Sequence, residues 1–224
     1  MLNLEELDLP VWRPTGNNPS PAADVAMQRV DAFLADAERR IDALFASGSN
    51  RRLPRFVPAD ARAVYAALQH ITRLDLPVGR VFCEWGSGLG VATCLAALLG
   101  YEAYGIEIEP ELTELSRRFA EDHGIEAHIL TTSYLPEGFE SYSGSGATEL
   151  VTPAMEAGGR ITATRYQGMP FETDEIDVFY VYPWPGEQEM MLELFDLIAA
   201  DGAILLAYYG DGEVAGYRKS AAIW

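Results

Sequence analysis

Apolar residues recur at three- and four-residue spacings through Val30, Phe33, Leu34, Ala37, Ile41, Leu44 and Phe45, with charged residues between them. This period predicts an amphipathic helix over 22–47, which Gly48 ends. A loop over 47–56 follows. A second amphipathic helix is expected over 59–73, with Asp60 near its start. From residue 81 the pattern changes. A short β-run over 81–84 leads into a glycine loop at 86–90, then an apolar helix over 90–99 that Gly100 closes. A second strand is expected at 103–108. Pro110 then opens a helix in the position that proline favours, and a third strand follows at 125–130.

Residues 131–174 are less regular. The run at 141–146 reads as a flexible turn, and 160–166 alternates as an added strand would. A strongly apolar fourth strand at 176–182, a helix at 187–200 and a fifth strand at 203–208 complete the pattern. Strands alternating with helices at this spacing predict an α/β, Rossmann-like, mostly parallel sheet flanked by helices. The first 21 residues, with Pro10, Pro14, Pro19 and Pro21, read as an extended arm. The expected organisation is therefore an arm and helical cap over 1–75 and a Rossmann-like domain over 76–224.

Composition narrows the function classes. The chain has 224 residues, 49% hydrophobic and 22% charged, which suits one domain plus an extension. Its net charge is −18, from 34 acidic against 16 basic residues, and Lys219 is the sole lysine. An acidic surface repels phosphate backbones and anionic membranes, which argues against a nucleic-acid partner. Most of this charge is expected simply to keep the protein in solution. Cys83 and Cys94 sit in apolar runs and read as free, reduced and buried, which points to the cytoplasm. The N-terminus lacks the basic-then-apolar pattern of a signal peptide, and no apolar run reaches the ~18 residues of a membrane span.

The chemistry concentrates at Glu84-Trp85-Gly86-Ser87-Gly88-Leu89-Gly90, with Glu107 ending the next strand. Glycines let a ligand approach the backbone at the carboxyl edge of the sheet. An acid at the tip of the second strand, about 20 residues on, can accept both hydroxyls of a ribose. An adenosine-containing ligand is expected. The dinucleotide fingerprint G-x-G-x-x-G fails, because Val91 stands where its last glycine belongs. His70, His123 and His128 form no ligand spacing with the cysteines, so no metal is expected. Ser87 is no hydrolase elbow, since Trp85 and Leu89 replace the glycines such a turn needs.

The loop G-x-G-x-G, with an acid two residues before it, resembles motif I of class I S-adenosylmethionine-dependent methyltransferases. The stretch YGIEIEPELTELSRRFAEDHG resembles their second strand and following helix, DVFYVYPWP their fourth-strand motif and DGAILLAYY their fifth strand. The likeness covers about residues 80–210. It implies S-adenosylmethionine as cofactor and transfer of its methyl group to a small-molecule or peptide acceptor. Glu84 would lie near the methionine amino group. Gly86, Ser87, Gly88 and Gly90 would line the methionine and ribose, and Glu107 would hold the ribose hydroxyls. Ile108 would pack on adenine, with Ser133 or Tyr134 at its edge.

The reactive edge would be Tyr182-Pro183-Trp184-Pro185, where amino-methylating relatives often carry Asn or Asp at the position of Tyr182. Tyr182 and Trp184 are the candidate catalytic residues, and with the acidic charge they suit a cationic amine or basic peptide. Arg55, Phe56 and Pro58 are candidates for a lid. Trp12 and Arg13 are candidates to reach the site or to form a homodimer contact. Such methyltransferases usually add a hairpin of two strands after the fifth, and residues 211–224 supply one short strand at most. The sheet is therefore expected to be truncated there, or filled at its edge by 160–166. The rival reading is a non-catalytic S-adenosylmethionine-binding or scaffold protein of the same fold. A nicotinamide enzyme is the third.

Overall fold

The computed structural model describes residues 2–9, 21–48, 53, 56–135, 165–210 and 212–221. Its elements run β1 (Leu4–Leu7), α1 (Pro21–Ala46), α2 (Ala61–Arg73), β2 (Val81–Trp85), α3 (Val91–Leu98), β3 (Glu102–Glu107) and α4 (Pro110–Asp122). They continue with β4 (His128–Thr131), β5 (Val178–Val181), α5 (Gln188–Ile198), β6 (Ile204–Tyr208) and β7 (Val214–Lys219). The seven strands form one sheet in the order β1-β7-β6-β5-β2-β3-β4. The five from β4 to β6 are parallel, and β7 runs antiparallel to β6. This is a Rossmann-like, mostly parallel sheet flanked by helices.

The third strand begins at His128, not at residue 125, because Ile125 is used to close α4: its N–H bonds the Ala120 carbonyl. The expected arm is corrected at residues 4–7. They form strand β1, paired antiparallel with β7 in the register Leu4↔Lys219 to Leu7↔Gly216. The edge beyond β7 is therefore filled from the N-terminus, so the sheet is not truncated there. The physical reason is that β7 would otherwise present an unpaired row of backbone groups. Gly216 allows the close fit, since a Cβ there would lie 2.8 Å from Leu9 Cδ1. Arg165 and Tyr166 lie in no strand, and the rest of 160–166 is outside the described residues. So are the turn at 141–146, Trp12, Arg13 and Arg55.

Two apolar layers enclose the sheet. One gathers α1, α2 and α3 against Phe82, Tyr180 and Leu206, and the other gathers α5 against Trp85, Phe179 and Leu205. Helix α1 carries its stripe as the period requires, with Val30, Phe33, Leu34 and Ala37 buried, while Phe45 at its far end is exposed. Phe33 stacks on Phe119 of α4 at 4.8 Å between ring centres. Burying such a ring is worth about 1.5–3 kcal/mol, whereas the half-exposed Arg40–Asp122 pair beside it is worth about 0–1 kcal/mol. Apolar contact, more than charge, seats α1 over the sheet. Both cysteines are buried and free. Among the described residues, no helix is long and apolar enough to cross a membrane.

Candidate functional site

The sheet places its chemistry by topology. The chain leaves β2 toward β3 and β4, then returns to β5 on the other side of β2. The loops after β2 and β5 therefore diverge, and a crevice opens at their carboxyl ends, where ligands bind in open α/β sheets. A cavity of about 870 Å³ occupies this position.

The glycine loop is tied to the tip of β3. The Ser87 N–H donates to the Ile106 carbonyl at 2.8 Å, and the Gly88 N–H donates to Glu107 Oε2 at 2.8 Å. Glu107 Oε1 accepts the Glu109 N–H at 2.9 Å. Each carboxylate oxygen thus holds one backbone donor and keeps a lone pair for a ligand. Gly90 turns the chain into α3 with φ 69°. A Cβ there would stand 2.1 Å from Ser116 Oγ of α4, so only glycine fits.

Glu84 is buried on β2. Its Oε2 accepts both the Thr93 N–H at 2.8 Å and the Thr93 hydroxyl at 2.5 Å. Burial pushes its carboxyl up from the ordinary 4.5 to about 8, against the lowering effect of the Thr93 bonds; the nearby Glu107 charge adds to the rise. Desolvation wins because two hydrogen bonds do not replace the water a carboxylate loses.

Most expected site residues share the cavity wall. Glu84, Gly86, Ser87 and Gly88 line it from β2 and the loop, and Glu107 and Ile108 from the end of β3. Ser133 and Tyr134 line it after β4, and Tyr182 and Trp184 after β5. Ile108 is exposed and Trp184 is 37% exposed, so both offer free apolar surface to an occupant. Gly90 is the exception: it is absent from the lining and serves packing against Ser116. Of the expected lid, Phe56 and Pro58 line the cavity, and Phe56 Cε2 is 2.8 Å from where a Cβ on Gly88 would sit.

Two features escaped sequence reasoning. Tyr180 lies beside Glu84 in the β2–β5 register, lines the cavity, and has a buried hydroxyl without a hydrogen-bond partner among the described residues. Its i, i+2 spacing from Tyr182 places both on one face, a signal present in the chain but readable only once β2 and β5 are known to be neighbours. The second feature is charge. The described lining residues include Glu38, Asp42, Asp60, Glu84, Glu107, Glu109 and Glu187, and no Lys or Arg. Helix α1 contributes two of these acids, and no sequence period links them to β2. Among the described residues, no cluster of His, Cys, Asp and Glu is arranged to hold a metal ion.

No protein-family model and no curated protein sequence matches the chain. Solved structures do. The Thermus thermophilus 16S rRNA N2 G1207 methyltransferase, in complex with AdoMet and guanosine, matches 75% of this chain and 44% of its own, at 11% identity and TM-score 0.44. An RNA methyltransferase from Salinibacter ruber, in complex with S-adenosyl-L-homocysteine, matches 70% of this chain and 92% of its own, at 18% identity and TM-score 0.40. A SAM-dependent methyltransferase from Thiobacillus denitrificans, also with S-adenosyl-L-homocysteine, matches 62% and 46%, at 19% identity and TM-score 0.39. The chain thus spans about half the length of the Thermus and Thiobacillus proteins. These are likenesses of fold, and the acceptors named belong to those proteins.

Proposed function

We propose that the protein is an S-adenosylmethionine-dependent methyltransferase. The observation that carries this reading is Glu107, anchored by the Gly88 N–H at the mouth of the glycine loop and facing the same cavity as Tyr182 and Trp184. The donor set fits the cofactor. An acidic wall suits a ligand carrying a sulfonium and an ammonium, and the free lone pairs of Glu107 suit ribose hydroxyls. The carboxylates of the described lining suit a cationic ligand better than a pyrophosphate.

In this reading Glu107 holds the ribose, Glu84 faces the methionine ammonium, and Gly86, Ser87 and Gly88 form the floor beneath them. Ile108 covers adenine, with Ser133 and Tyr134 at its edge. The bound cofactor supplies an electrophilic methyl group on a positively charged sulfur. The protein contributes alignment of the acceptor by Tyr182 and Trp184 and exclusion of water by α1 and Phe56. Titration calorimetry with S-adenosylmethionine and S-adenosylhomocysteine tests the reading. Both should bind, and Glu107→Ala should weaken binding by about 1.5–3 kcal/mol, the scale of hydrogen bonds to a charged group. Folded protein that binds neither compound refutes it. Binding without turnover on any acceptor supports the non-catalytic rival.

A further inference from the structure

The acceptor side of the cavity carries more information than its acidity. Tyr180 is 2% exposed, and its hydroxyl has no hydrogen-bond partner among the described residues. Buried hydroxyls are rarely left so, because an unmade hydrogen bond costs about 1–3 kcal/mol. It lies within electrostatic reach of Glu84, Tyr182, Tyr208 and Asp60. Asp60 caps α2 through one oxygen alone, with Oδ1 accepting the Arg62 and Ala63 N–H groups. Tyr182 packs edge-on against Tyr208 at 4.9 Å, and Trp184 stands exposed at the rim. An unpartnered hydroxyl, a carboxylate and aromatic rings thus line the same cavity.

We propose that this part of the cavity, formed by Tyr180, Tyr182, Trp184 and Asp60, is an acceptor site for a small aliphatic amine bound as its cation. The assignment rests on the methyltransferase reading above. Rings attract a cation through their faces, Asp60 balances its charge, and the Tyr180 hydroxyl accepts one of its N–H groups. A cavity of about 870 Å³ lies toward the upper end of small-molecule sites, about 300–1,000 Å³, so a nucleoside cofactor leaves room for a compact second ligand. Helix α1 walls the cavity through Leu34, Ala37 and Ile41, which favours a free small molecule over a folded partner.

The balance of the reaction is simple. The bound ammonium loses one proton to solvent. The freed nitrogen lone pair forms the N–CH3 bond as the S–CH3 bond of the sulfonium donor breaks, with that bonding pair remaining on sulfur. One proton is released for each methyl transferred, and the products are a methylammonium and a neutral thioether.

The test is calorimetry on the full chain saturated with S-adenosylhomocysteine, titrated with phenethylamine and with its neutral and anionic isosteres, 2-phenylethanol and hydrocinnamate. Phenethylamine should bind at least about tenfold more tightly than either. Tyr180→Phe should weaken it about tenfold, with S-adenosylhomocysteine affinity kept within about twofold. Its unfolding midpoint should stay level or rise, because the variant deletes an unpartnered group; a lowered midpoint would mean that the hydroxyl is used within the fold and would count against the proposal. Asp60→Asn, which retains the helix cap, should also weaken phenethylamine. Equal binding of the three compounds, no binding of phenethylamine, or unchanged affinity in both variants overturns the proposal. Binding of a lysine-bearing peptide alone does so as well. If S-adenosylhomocysteine itself does not bind, the methyltransferase reading falls and this assignment with it. If it binds and no amine preference appears, only this assignment falls.

Discussion

Thr93 gives Glu84 both of its donors: the backbone N–H and the hydroxyl of this one residue meet Glu84 Oε2 at 2.8 and 2.5 Å. The first turn of α3 therefore cradles a carboxyl group that burial has pushed up to about 8. In the folded protein this group binds a proton more tightly than in the unfolded chain, where it stays near 4.5. Its contribution to stability is present in full below about pH 4.5 and is lost as pH rises through about 8. Glu84→Gln mimics the protonated form at every pH. Denaturant titrations from pH 5 to 9 should therefore show wild type losing on the order of a few kcal/mol relative to Glu84→Gln. A wild type that gains on the variant across this range would contradict the burial argument.

The same carboxyl couples to the proposed cofactor. A ligand ammonium beside Glu84 favours the ionised form, so binding should expel a proton wherever the empty site holds one. Calorimetry at pH 7 in buffers of different ionisation enthalpy should show release of up to about one proton per S-adenosylmethionine bound. The release should fade well above pH 8, where the empty site is already ionised, and vanish in Glu84→Gln. Proton uptake at pH 7, or release unchanged in the variant, would assign the effect elsewhere.

Much of this site was legible in the chain because it is local. The strand, the glycine loop and the helix behind it are contiguous, and Glu107 is found by counting one strand–helix–strand unit onward. What the chain hid is whatever depends on strand order. Tyr180 becomes a neighbour of Glu84 only when β5 is laid beside β2, more than 90 residues away in sequence. Strand β1 was missed for a related reason. Four residues without a strong apolar alternation carry little signal, and their pairing partner lies at the opposite end of the chain. The packing of Gly90 against α4 was equally hidden, since its place in a ligand-like motif says nothing of Ser116.

That packing role can be isolated. Gly90→Ala meets three obstacles, a left-handed φ of 69°, Ser116 Oγ at 2.1 Å from the new Cβ and Ile129 Cδ1 at 3.2 Å. The backbone alone costs about 1–2 kcal/mol, and the clash adds to it. Ser116→Ala by itself should be close to neutral, since its hydroxyl is buried without a partner. In the double variant the Oγ obstacle is gone, leaving Ile129 Cδ1 at a tight 3.2 Å and Ser116 Cβ at 3.4 Å. Thermal or denaturant unfolding should then recover part of the Gly90→Ala loss but leave the backbone cost. Strict additivity of the two substitutions would show that Ser116 is not what excludes a side chain at Gly90.

The edge strand gives the last prediction. Strand β1 pairs through all four of its residues with β7, and Ser220 N–H reaches the Asn3 carbonyl at 2.8 Å just beyond. Leu7 and Leu9 add apolar contact to the layer that holds Tyr180 and Tyr208. Removing residues 1–9 leaves the outer row of β7 backbone groups unpaired, and such an edge recruits strands from other chains. The shortened protein should unfold at lower denaturant and self-associate with rising concentration, read by sedimentation or light scattering. Because β7 also braces β6, whose last residue Tyr208 packs on Tyr182 at 4.9 Å, the loss should reach the cavity too. Leu9→Ala tests the side-chain part alone. It opens space over Gly216 while keeping the β1 ladder, so it should lower stability by a smaller amount and leave the protein no more associated than wild type. Self-association in Leu9→Ala equal to that of the truncation would place the protective effect in the leucine side chain and not in the paired backbone.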